Sequence, residues 1–101
     1  MAKEYVQTWI LAGYALFAAE GPKGLKIEVM AKMVNKSKSS FYHYFGELEL
    51  FKDELMAYHL ERAYDFANQI KSCNNIHPGL IEVMMDYKID IFFYKQFRKV
   101  K

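Results

Sequence analysis

At 101 residues, 52% of them hydrophobic and 17% aromatic, the chain is long enough for one domain, or a small domain with part of a second, and rich enough to bury a core and leave apolar surface for a partner. Its single cysteine, Cys73, excludes an internal disulfide and fits a reducing compartment. The longest apolar run, Trp9 to Ala19, is broken by Gly13 and too short to span a bilayer, so no membrane role is expected. Met1-Ala2-Lys3-Glu4 leads straight into an amphipathic pattern rather than a signal peptide, and the expected location is the cytoplasm.

Nearly everything reads as helix. Val6, Ile10, Gly13, Leu16 and Phe17 recur at spacings of three and four, predicting a first helix from about Lys3 to Ala19. Ala12 and Gly13 leave room there for a second helix to approach. Gly21-Pro22-Lys23-Gly24 ends it, because proline lacks a donor and glycine accepts a left-handed backbone. A second helix is predicted over about Ile27 to Val34, with Asn35 as a turn residue tolerant of positive φ. Ser37 is placed to cap a short third helix ending at Gly46. A long fourth helix follows, from about Glu47 to Ser72. Cys73 to His77 form a polar link, and Pro78 is placed to open a fifth helix reaching almost to the end. Leu80, Val83, Met84, Met85, Tyr87, Ile89, Phe92, Phe93 and Tyr94 cover most of that helix's circumference, which predicts burial on nearly all sides. Four other helices are too few to cover it, so either the chain is a fragment or it self-associates.

The stretch Ser37-Lys38-Ser39-Ser40-Phe41-Tyr42-His43-Tyr44-Phe45 carries the functional signal. Two brief helices joined by a tight polar turn outline a helix-turn-helix, whose second helix enters the DNA major groove. Charge agrees with this placement. Residues 1–45 hold six lysines against three glutamates, whereas the remainder holds eight basic and nine acidic residues. A local basic face suits phosphate contact.

Trp9 to about Phe51 resembles the TetR-type transcriptional regulators. The resemblance rests on Leu16-Phe17, Gly21 and Gly24, Ile27, Met30-Ala31, Ser37-Lys38 and the closing Tyr42-His43-Tyr44-Phe45. It implies an all-α protein with a three-helix DNA-binding head over residues 1–47, its motif at about 26–45. A linking fourth helix and an apolar fifth helix, from an incomplete dimerisation and ligand-sensing domain, then occupy residues 48–101. It also implies a homodimer on a palindromic double-stranded operator, acting as a repressor released by a small hydrophobic effector. The sequence departs from the family at Asn35-Lys36, where Gly-Val is usual, at Lys26, where a hydroxyl cap is usual, and at Leu48, where a basic residue is usual.

The expected DNA-contacting residues are therefore Lys26, Lys36, Ser37, Lys38, Ser39, Ser40, Tyr42, His43 and Tyr44, with Lys52 standing in for the basic residue missing at position 48. Lysine donates to guanine acceptors and serine pairs with several base edges, whereas tyrosine and histidine place donors against phosphates. Phe41 and Phe45 are expected in the core. Met84, Met85, Phe92 and Phe93 are the candidate lining of an effector pocket. No cofactor, metal or catalytic site is expected. His43, His59 and His77 lie in separate elements, and Glu82, Asp86 and Asp90 read as the solvated edge of the fifth helix. The competing class is a helical protein-interaction module that has lost DNA binding, favoured by Lys36 and Leu48.

Overall fold

A computed structural model describes residues 2–72 and 79–99. They form six helices and no strand: α1 (Ala2–Glu20), α2 (Ile27–Val34), α3 (Lys38–Phe45), α4 (Leu48–Lys71), α5 (Ile81–Asp86) and α6 (Lys88–Lys99), with one tight 3-10 turn at Pro22–Gly24. The fold is all-α, as expected. Pro78 and the link Cys73 to His77 lie outside the described residues.

The early helices stop and start where local chemistry dictates. Gly21, at φ 76°, donates its N–H to the Phe17 carbonyl at 2.7 Å and turns the chain out of α1. Asn35 takes the left-handed conformation (φ 58°, ψ 47°) after α2, and the next N–H, of Lys36, returns to the Ala31 carbonyl at 2.9 Å. The Ser37 hydroxyl accepts the Ser40 N–H at 3.3 Å and so caps α3.

Aromatic rings fill the space between α1, α3 and α4. Trp9 meets Phe41 edge-on at 5.4 Å, and Phe51 of α4 packs against Phe41 at 5.2 Å and Phe45 at 4.8 Å. Gly13 makes this packing feasible, since a Cβ there would sit 2.5 Å from the Phe51 ring. Phe51, Leu55 and His59 form one buried stripe on α4 at four-residue spacing. That stripe carries the core onward to α6, where Phe93 stacks on Tyr14 at 4.4 Å and packs against Phe17 at 4.6 Å.

The expected continuous fifth helix is broken at Tyr87 into α5 and α6. It is also not buried on nearly all sides. Tyr87, Asp90 and Phe93, three residues apart, form one inward edge, while Met84, Met85, Ile89, Phe92 and Tyr94 are exposed. An apolar circumference fixes no direction of burial, and α1 and α4 cover only one edge of this segment. Nor is Asp90 part of a solvated stripe with Glu82 and Asp86. It is 7% exposed, because it shares the phase of Tyr87 and Phe93 and faces a guanidinium.

Candidate nucleic-acid interface

On α3 the side chains divide cleanly by helical phase. Phe41 and Phe45 point into the core at 0% and 8% exposure. Ser39 and His43 stand at four-residue spacing on the opposite side, while Lys38 and Tyr42, each three residues before a core phenylalanine, lie on its flank. Lys38, Ser39, Tyr42 and His43 are all exposed. The Tyr42 ring braces edge-on against Phe41 at 5.5 Å, and His43 meets Tyr44 at 5.1 Å. Ser37 and Lys36 extend this face through the turn and are exposed as well.

Residues of α1 and α2 border it. The Tyr5 ring stacks on Tyr44 at 6.3 Å and receives the Lys36 ammonium at 4.8 Å from its centroid. Sequence reasoning misses Tyr5, which reads there only as part of the first helix. Lys38 lies 3.8 Å from Glu28, with both side chains mostly in solvent, so the pair is loose.

Not every expected residue belongs to this face equally. Ser40 is half-buried, its hydroxyl 3.4 Å from that of Ser37, and Tyr44 is half-buried beside Tyr5. Lys26 is exposed at the opposite end of α2, about 12 Å of helical rise from the turn. Lys52 is held by Glu49 at 3.2 Å and lines a groove with Pro22, Leu25 and Phe97. The four expected pocket residues do not converge. Phe93 is 2% exposed in the core, whereas Met84, Met85 and Phe92 share an open outer face with Ile81 and Ile91.

A second polar constellation, in the core, joins α1, α4 and α6. The Tyr14 hydroxyl donates to Asp90 Oδ1 at 2.6 Å and lies 2.8 Å from His59 Nδ1. Arg62 grips the same carboxylate with two bonds, Nε to Oδ1 at 3.1 Å and Nη2 to Oδ2 at 2.9 Å. Its guanidinium also lies 4.5 Å above the Tyr87 ring. A hydroxyl has one proton, and here it goes to Asp90, so His59 Nδ1 carries a proton and donates to the Tyr14 oxygen.

Ionisation follows from this arrangement. Burial, reinforced by the bond to Asp90, pushes the Tyr14 hydroxyl far above its usual 10.0. Burial raises Tyr58 too. The bond to Asp90 raises Arg62, against an opposing desolvation penalty. Burial holds His59 below its usual 6.5, and the Asp90 charge opposes this only in part. The one signal of this constellation in the sequence is spacing, with His59 in phase with Phe51 and Leu55, and Asp90 in phase with Tyr87 and Phe93.

Among the described residues, no group of three or more His, Cys, Asp or Glu side chains comes together as a metal site. No described helix is long and apolar enough to cross a membrane. Comparison with known protein families, with curated proteins and with solved structures finds no match to this chain.

Proposed function

We propose that this chain binds duplex DNA through α3 and regulates transcription as a TetR-type repressor, in the cytoplasm, as a homodimer released by a small apolar molecule. The observation that carries the reading is the outward face of α3. One lysine, one serine, a tyrosine and a histidine stand in solvent on a short helix capped by the exposed Ser37, and Phe41 and Phe45 lock its inward side. An α-helix fits the major groove, where Lys38 and Ser39 have base edges within their chemistry. Tyr42, His43, Lys36 and Lys26 then serve phosphates, which set position without specifying sequence. Tyr5 braces this arrangement from α1.

The exposed apolar face of α5 and α6, with Met84, Met85 and Phe92, supports the dimer part of the proposal. The same face supports a second reading, a helical module that binds another protein and no DNA. Electrophoretic titration with the gene's own upstream region, against an unrelated duplex of equal length, separates the two. The regulator prefers its own region, and Lys38→Ala and Tyr42→Phe each weaken binding while thermal unfolding is unchanged. Unchanged affinity of both variants overturns the DNA reading.

A further inference from the structure

The polar network leaves one nitrogen open. His59 is 8% exposed and its Nδ1–H is directed to Tyr14, but no group among the described residues bonds its Nε2. No fully enclosed side-chain nitrogen or oxygen among the described residues lacks a partner, so Nε2 reaches open space. The space that His59 lines is a cleft of about 190 Å³ between α4 and α6, walled by Ala63, Phe66, Tyr87, Ile91 and Tyr94. The Tyr94 ring lies nearly parallel to the imidazole, 17° off, with centroids 6.4 Å apart.

The cleft's chemistry narrows what fits. Burial keeps His59 neutral at neutral pH, so Nε2 offers a lone pair and asks for a donor. Asp90 also lines the cleft, but both its oxygens are already engaged by Arg62 and Tyr14. An anionic ligand would meet the His59 lone pair and no cationic side chain in the lining, and is disfavoured. The walls are apolar and mostly aromatic, which favours a flat ring. The volume is below the roughly 300 Å³ of a drug-sized site and suits one or two fused rings.

We propose that this cleft binds a small, uncharged planar aromatic molecule with a single ring N–H or O–H, which donates to His59 Nε2. The bound ring lies among Ala63, Phe66, Ile91 and Tyr94. Occupancy is felt at α1 through the His59–Tyr14 bond, so the cleft is an effector site. That regulatory consequence rests on the DNA-binding reading; the binding itself does not.

Indole and 1-methylindole test the site without DNA, since they share a ring system and differ in the donor. Titrated into the whole chain and followed by nitrogen NMR, indole shifts the His59 Nε2 resonance and the amides of Ala63 and Ile91. 1-Methylindole binds about tenfold more weakly, the effect of one lost hydrogen bond. Ala63→Leu, which fills the cleft and leaves the network intact, abolishes indole binding. Equal affinity for the two probes, no binding of indole, or binding that survives Ala63→Leu overturns the site and leaves the DNA reading standing.

Discussion

The Tyr14 hydroxyl donates to the Asp90 carboxylate at 2.6 Å, across 76 residues of sequence. That bond, with the Arg62 clamp on the same carboxylate, fastens the last described helix to the first and to the long helix between them. A polar network in so small a core makes α6 register-specific. Only one phase of α6 presents Asp90 to Arg62 and Phe93 to Tyr14 together.

Removing one member of the clamp should therefore cost more than removing both. Asp90→Ala strands the Arg62 guanidinium and is predicted to destabilise by about 2–4 kcal/mol, toward the lower end because Arg62 is partly solvated. Arg62→Met combined with Asp90→Leu is predicted to recover most of that loss. Urea unfolding of the three proteins reads both effects, and a double variant no more stable than Asp90→Ala would show that the pair is not the source.

His59 gives stability a definite pH dependence. Its folded-state pKa lies below 6.5, so the unfolded chain takes up its proton first as pH falls. The contribution of the neutral buried imidazole is full above about pH 7, shrinks as pH falls through 6.5, and is gone below the folded-state value. A His59→Asn variant keeps a donor near Tyr14, and its amide does not titrate. The difference in unfolding free energy between the two proteins, measured from pH 8 to pH 5, should narrow or reverse on the acid side; a difference constant with pH contradicts the assignment.

Gly13 is predicted to resist alanine even though alanine favours helix by about 1 kcal/mol. The added Cβ meets Phe51 at 2.5 Å, and Phe51 is fully buried between Phe41 and Phe45 with nowhere to retreat. Overpacking of this kind costs about 1–3 kcal/mol, so Gly13→Ala should lower the melting temperature by several degrees for a domain of this size. Adding Phe51→Leu should cost less in the Gly13→Ala background than in the wild type, because the smaller side chain relieves the clash. Strictly additive losses would place the clash elsewhere.

Much of α1 to α3 is legible in the sequence because its signals are local. Asn35, Ser37 and Gly46 mark helix ends by their own backbone and side-chain chemistry, and Phe41 and Phe45 fix the phase of α3 and so the outward side of Ser39, Tyr42 and His43. The α5–α6 segment misleads because its apolar residues surround it and name no buried side. Asp90 misleads because Glu82 and Asp86 share its four-residue spacing, whereas its true partners, Arg62 and Tyr14, lie 28 and 76 residues away. Pairing over such distances leaves no trace in periodicity. The same applies to Tyr5, whose place beside Tyr44 and Lys36 arises only when α1 crosses the turn. Lys52 has a local competitor, Glu49, three residues away.

The central claim is that the exposed face of α3 neutralises and reads duplex DNA, and salt tests it most directly. Affinity for a duplex carrying the preferred sequence should be measured from about 50 to about 300 mM salt for the wild type, Lys36→Ala and Lys38→Ala. The logarithm of affinity is predicted to fall linearly with the logarithm of salt concentration, with the slope reduced by about 0.9 for each lysine that contacts a phosphate. No binding at the lowest salt, or a slope identical in all three proteins, would contradict it.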